Sequence, residues 1–367
     1  MSGPNGSVNQ NPAARIHSRA AGTFWILLSV LLVLLVASVI LGVGIGAVKL
    51  PPERVTRILI SHILPNAVTV DWNPTDDQIV WIFRLPRVLL AIIVGAALAV
   101  SGTTLQAMVR NPLADPFLFG ISSGASLAAV IVITLGSAVV GGLSLSVAAF
   151  VGAFLTTFAV FVLAQRNGRV VPMRLVLAGV ALSFVLSSAT SFLVMRAAAK
   201  GGGNAAAVVL NWLAGSLGGA KWEHLGLPTL VLIVTTGVLI LQSRALNTLL
   251  LGEESAIGLG INVQQFRLQL FFITSLLVGT VVAISGSIGF VGLLIPHIVR
   301  MLVGSDHRRV LPLSALMGGV YMVLVDLVGR TILAPVELPV GMVTSALGGP
   351  FFIWLMSRDR KPGADHG

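Results

Sequence analysis

Ten stretches of this 367-residue chain are apolar for long enough to cross a lipid bilayer, and that burden of hydrocarbon decides what the chain can become. A helical crossing needs about 20 residues. Such runs read at 23–48, 84–108, 117–137, 143–165, 172–196, 226–243, 267–286, 287–304, 310–333 and 339–357. With 56% hydrophobic and only 10% charged residues, the composition is that of a protein buried in lipid. The expected fold class is an all-α polytopic membrane protein of about ten transmembrane helices over 23–357, between polar tails at 1–22 and 358–367. The first run is too long for a cleaved signal and lacks a small-residue cleavage site before a soluble domain, so it reads as a retained helix.

Lys and Arg in the short loops give the orientation. Cytoplasmic termini put roughly 14 of the 23 basic residues inside. Arg84, Arg87 and Arg330 break the rule by falling at the outer ends of spans, where a long side chain can simply anchor at the headgroups or, because charge beside hydrocarbon is costly, can serve a function. The formal net charge of +10 does not signal nucleic acid, because the basic residues are scattered over loop ends without interleaved aromatics. The absence of cysteine excludes disulfides, thiolate metal sites and cysteine nucleophiles.

The segment Gly95 to Gly102 recurs as Gly279 to Gly286, and the same offset of 184 residues takes Pro112 to Pro296 and Gly120 to Gly304. Five spans per half is an odd number, so the halves are expected to be inverted relative to each other, as in transporters that rock about a central pathway. The glycine excess, 40 residues, suits close approach of helices where lipid removes the hydrophobic drive.

Signals for chemistry are sparse. No phosphate loop or dinucleotide fingerprint occurs, so the chain is not expected to hydrolyse ATP, and the six histidines show no metal-ligand spacing. Asp326 is the one acid well inside a span, with Arg330 one turn later on the same face, so a structural ion pair and an ion relay both have to be considered. Between the sixth and seventh spans, Leu251 to Asn262 carries two acids, a short Ala/Ile helix and terminating glycines. It reads as a docking element for a partner.

Taken together, Arg84-Leu-Pro-Arg87, Asn111-Pro-Leu-Ala-Asp-Pro116, Leu251-Gly-Glu253, Gly289-Phe-Val-Gly-Leu-Leu-Ile-Pro-His297, Asp306-His307-Arg308 and Glu337-Leu-Pro-Val-Gly341 resemble the FecCD-type permeases of ATP-binding-cassette importers for iron-siderophores, haem and cobalamin. The resemblance covers nearly everything after residue 23. It implies a homodimeric permease of the bacterial inner membrane with two cytoplasmic ATPase subunits and a periplasmic substrate-binding protein. No cofactor is expected on this chain, and ATP and Mg belong to the ATPase.

Residue by residue, the resemblance implies binding-protein docking at Arg84 and Arg330, with Arg87 as an anchor, and ATPase coupling through Glu253, Glu254, Ala256 and Gly258. The fifth span is expected to line the pathway through Ser183, Ser187, Ser188, Thr190, Ser191 and Met195, with Arg169 and Met173 in a gating loop at 165–173. Interhelical hydrogen bonding is the other reading of those hydroxyls. The stretch Trp212 to Trp222 is closest to haem and siderophore permeases, so haem stands first as cargo, with ferric siderophore and cobalamin as alternatives. An ion-coupled secondary transporter would also suit the repeat and Asp326. An intramembrane enzyme would need a catalytic pair that is not evident.

Overall fold

The computed structural model describes the backbone of residues 12–46, 48–166, 169–199 and 203–358, and side chains over 22–46, 48–165, 170–199, 205–355 and Ser357. In chain order the helices are α1 (Pro12–Gly44), α2 (Pro52–Ile63), α3 (Pro74–Gln78), α4 (Leu85–Val109), α5 (Ile121–Leu135), α6 (Leu145–Ala164), α7 (Pro172–Ala199) and α8 (Gly203–Leu213). They continue as α9 (Gly226–Leu241), α10 (Ser243–Leu250), α11 (Glu253–Gly258), α12 (Val263–Ser285), α13 (Val291–Val303), α14 (His307–Thr331) and α15 (Val340–Arg358). A two-residue antiparallel pair, β1 (Gln165–Arg166) with β2 (Arg169–Val170), closes the turn before α7.

Among the described residues seven helical stretches are long and apolar enough to cross a membrane, and three shorter apolar helices lie at 121–135, 291–303 and 340–355. Each of the ten expected spans therefore has its helix, with altered bounds. The run at 287–304 yields only the 13 residues of α13 because Gly286 (φ 70) and Phe290 (φ 68) both take left-handed conformations that a helix cannot contain. At about 1.5 Å per residue α13 is roughly 20 Å long, too short for a hydrocarbon core of about 30 Å. The run at 117–137 loses its start to a 3₁₀ turn at Pro116–Phe119. The span expected at 84 instead begins at Pro74 and passes into α4 through a π-helical turn at Ile79–Arg84.

Helix α4 is the axis of the molecule, buried along nearly all of its length. Glycines permit this. A Cβ on Gly95 would lie 2.0 Å from the Gly318 carbonyl oxygen of α14, and one on Gly102 would lie 1.9 Å from that of Gly292 in α13. Small residues let the backbones touch, which is how packing holds helices together in lipid.

The helix lengths 25, 15, 20 and 28 residues (α4 to α7) recur as 23, 13, 25 and 19 (α12 to α15). The contacts are reciprocal. Helix α4 packs on α13 and α14 of the second set, and α12 packs on α5 and α6 of the first. The repeat is thus visible in packing, while the constant offset of 184 residues is not. Leu85 to Val263 is 178 residues and Leu145 to His307 is 162.

Candidate functional sites

One site lies where α1 ends. The last carbonyls of a helix have no partner within it, and here two arginines from distant parts of the chain supply donors. Arg84 donates to the carbonyls of Val43 (2.8 Å), Gly44 (3.1 Å) and Val48 (2.6 Å), and Arg330 donates to Gly42 (2.9 Å). Both side chains are buried, at 9% and 8% exposure. Arg330 also forms the expected i,i+4 ion pair with Asp326 (3.0 Å). The π-helical turn brings Arg84 inward, because its extra residue per turn rotates the side chain away from the face an α-helix would give it.

Arg87 does more than anchor. Its guanidinium holds Asp326 (2.9 and 3.0 Å) on one side and Glu337 (2.8 Å) on the other. The three arginines line a basin of about 310 Å³ with Gly46, Phe83, Gly218, Ala220, Ala334, Pro335 and Glu337. Only Glu337 among the five charged groups is half exposed. Arg84 and Arg330 fasten the end of α1, and Asp326 is held in the expected structural ion pair with Arg330 and in a second one with Arg87. The sequence signal for this network was present in the Asp326 and Arg330 spacing. What linked Arg87 to Asp326, 239 residues away, was invisible along the chain.

A second site is a cavity of about 270 Å³ lined almost wholly by hydroxyls. Ser122, Ser123 and Ser126 come from α5, Ser187, Thr190 and Ser191 from α7, and Ser287 from the break before α13, with Leu213 as the apolar member. Three of the expected pathway residues thus meet, since positions i, i+3 and i+4 share a helix face. Ser188 turns away and returns its proton to the Phe184 carbonyl (2.9 Å), and Ser183 is half-buried with its hydroxyl unpartnered. Met173 and Met195 are exposed, 65% and 68%. The side chain of Arg169 lies outside the described residues. Ser122, Ser123, Ser126 and Ser287 went unread in the sequence, although Ser122 and Ser126 have the same i,i+4 spacing. A hydrogen bond from Ser122 to Ser287 (2.8 Å) joins their two elements.

The third site is the pair α10 and α11, turned at Gly252 (φ 117), a conformation open only to glycine. Of the four residues expected to contact a partner, one is buried and another is ion-paired within the chain while remaining half exposed. Ala256 is fully buried, and Glu253 receives both Arg267 terminal nitrogens (3.1 and 3.2 Å) from α12. Glu254 and Gly258 are exposed, as are Leu251 (73%), Ile257 (60%) and Leu259 (69%). The α10 end is tied to α14 through Asn247, which donates to Asp306 (2.7 Å) and accepts from the His307 backbone N–H (2.9 Å). Burial opposes ionisation of Asp306, but the Asn247 amide, the Arg308 N–H and the Arg309 and Arg308 charges hold its carboxyl below the ordinary range. A Cβ on Gly252 would lie 3.9 Å from Arg110 Nη1, at the C-terminal end of α4, so the helix pair sits a full α4 length from the basin, about 37 Å.

Among the described residues no group of three or more His, Cys, Asp or Glu could hold a metal ion. A helical bundle with a charged basin at one end, a hydroxyl cavity and an exposed helix pair at the other end suits a membrane permease. The sequence matches the FecCD transport family over residues 33–358, and the chain belongs to that family. It is 43% identical to a cobalamin import system permease of Halobacterium salinarum, over 78% of this chain and 75% of the relative. It is 42% identical to a hemin transport system permease of Yersinia pestis, over 79% and 87%. The fold matches an inward-facing structure of a putative metal-chelate type ABC transporter with a TM-score of 0.77 and 33% identity, over 90% of this chain and 98% of the other. The protein is thus a multi-pass permease subunit of an ABC importer in the bacterial inner membrane, in a family that works with ATPase and substrate-binding partners and leaves catalysis to the former.

Proposed function

We propose that the chain takes haem or another iron chelate from a periplasmic binding protein and passes it to the cytoplasm by ATP-driven alternating access. Both termini face the cytoplasm and two copies pair around the pathway. The observation that carries this reading is the separation of a charged basin from an exposed helix pair by the length of one buried helix, with a hydroxyl cavity elsewhere in the same bundle. The basin and the α10–α11 pair lie at opposite ends of α4, and the hydroxyl cavity opens between α5 and α7.

A cavity of hydroxyls without charge can exchange hydrogen bonds with a chelate without trapping it, which suits a pathway that must release its cargo. Helix α7 supports the dimer, because it shows Leu177, Phe184, Val185 and Phe192 on the same open side as Ser187 and Ser191. Ferric siderophore and cobalamin are the alternative cargoes, and the two relatives above are named for cobalamin and hemin in turn. ATP and Mg act on the two ATPase subunits, which dock on Glu254, Gly258 and their apolar neighbours. Glu337 and the arginines around it meet the binding protein.

The test is reconstitution of the permease with its ATPase in liposomes, supplied with binding proteins loaded with haem, ferric siderophore or cobalamin. Uptake that requires ATP and binding protein is expected, and haem uptake is expected to be fastest. Uptake by the permease alone along an ion gradient would instead establish secondary transport. The pairing of Asp326 with two arginines argues against that residue as the ion carrier such a mechanism would need.

A further inference from the structure

At the end of α4 opposite the basin lies a cavity of about 240 Å³ that neither docking, pathway nor coupling uses. It is lined by Gln106, Ala107, Arg110, Asn111 and Pro112 of α4 and its following turn, Leu250 of α10, Arg300 of α13, and Ser305 and His307 ahead of and within the first turn of α14. Its charge is uncompensated. Among the described residues neither Arg110 nor Arg300 has a carboxylate within ion-pair distance. The nearest acid in sequence, Asp306, is engaged by Asn247 and the Arg308 backbone.

Arg300 is held in place by the Gln106 amide oxygen, and Gln106 in turn donates to the Gly292 carbonyl (3.1 Å), so one of the two guanidiniums is positioned in advance. The carboxyl ends of α4 and α13 both point here and supply roughly half a negative charge each. Two arginines exceed that by about one positive charge. Apolar groups stand beside the charge: Leu250, which lines the cavity, is 41% exposed, and Leu113, next in sequence to the lining Pro112, is 40% exposed.

We propose that this cavity binds the phosphate of an anionic membrane phospholipid, with the Arg110 and Arg300 guanidiniums and the Ser305 hydroxyl on the phosphate oxygens and the two leucines against the glycerol and upper acyl chain. A cationic centre at the ends of spans beside apolar groups fits an amphiphile better than a free ion or a protein carboxylate, which would leave those groups bare. Arginine forks match phosphate oxygens in pairs. The position, beside Leu250 and Gly252, would let the lipid brace the α10–α11 pair against the bundle.

The test is native mass spectrometry of the full chain released from detergent after titration with phosphatidylglycerol or phosphatidylcholine, with melting temperature followed in parallel in inorganic phosphate. Phosphatidylglycerol is expected to be retained and to raise the melting temperature, and phosphatidylcholine to do neither. Arg110→Asn, which keeps a residue tolerant of the left-handed conformation at that position (φ 55), and Arg300→Gln are each expected to weaken retention roughly tenfold. Arg300→Lys should recover part of it and shows whether the Gln variant merely misfolds. Equal retention of both lipids, an effect fully reproduced by inorganic phosphate, or retention indifferent to both arginines would overturn the assignment. So would loss of the bound lipid whenever the ATPase subunits are present, which would assign the cavity to an acidic side chain of that partner.

Discussion

At the scale of single residues, the arginines of the basin show how burial changes what a mutation reports. Arg84 closes two carbonyls at the end of α1 and a third, that of Val48, in the segment after it, so Arg84→Ala leaves acceptors without donors in a buried site. A cost of about 2–4 kcal/mol is expected, read as a fall in the midpoint of thermal or denaturant unfolding in detergent. Glu337→Gln at the half-exposed rim should cost under about 1 kcal/mol. Loss of binding-protein affinity in an Arg84 variant therefore means docking only if the variant is still folded, and Glu337 is the cleaner probe. Asp115 offers the opposite case. Burial pushes its carboxyl up to about 6, against the hydrogen bond it accepts from the Phe117 N–H (2.8 Å). A raised folded value means that stability is fullest below the unfolded value of 3.8 and declines as pH rises through about 6. Asp115→Asn keeps an acceptor for that N–H and removes the titration. Its melting temperature should be flat between pH 4 and 7 where the parent falls, and should exceed the parent at pH 7 by a shift equivalent to about 2–3 kcal/mol.

Secondary structure was legible wherever the apolar run was long and unbroken, and its bounds failed where a local conformation intervened. Helices α6, α7, α12 and α14 lie close to their expected runs, while α13 is short because Phe290 and Gly286 are left-handed and α5 is short because Pro116 opens a 3₁₀ turn. Neither event has a hydropathy signature. Nor does the π-helical turn at Ile79–Arg84, which sets the direction of Arg84. The α10–α11 pair was found through its acids and glycines, but which residue faces which way follows only from packing against α12. Ala256 is turned inward and Glu253 is half exposed while paired to Arg267, and the rest of the exposed surface belongs to Leu251, Ile257 and Leu259 beside Glu254. Element by element, this predicts a separation of effects. Leu251→Asp with Ile257→Asp should leave the unfolding midpoint within about 0.5 kcal/mol, as exposed substitutions do, yet lower ATPase binding by tenfold or more, measured by co-purification. Ala256→Leu should do the reverse first, overpacking a filled site at about 1–3 kcal/mol.

The whole molecule is organised by a repeat that the sequence announced through the right helices for partly the wrong reason. Gly95 and Gly279 occupy equivalent places in a matched octapeptide, and they do fall in α4 and α12, the two helices that exchange roles in the packing. Their surroundings differ. Gly95 lies in backbone contact with Gly318, whereas a Cβ on Gly279 would meet Ala153 at an ordinary 3.5 Å. Gly102 is likewise a crossing point inside α4, but its match Gly286 ends α12 with φ 70. The repeat therefore preserves which helices pack and not which atoms touch. A chain whose halves diverged under that constraint should tolerate change unequally at matched positions. Gly95→Ala must push α4 away from α14, because the obstructing atom is a carbonyl oxygen at 2.0 Å that no rotamer can move. A loss of about 1–3 kcal/mol is expected, together with reduced transport, since α4 connects the basin to the cavity beside α10. Gly279→Ala should be neutral or slightly stabilising, because alanine favours the helix by about 1 kcal/mol over glycine and fits the space already present. Unfolding midpoints of the two single variants and their double would decide this. Equal effects at the two sites would mean that the halves share contacts as well as topology.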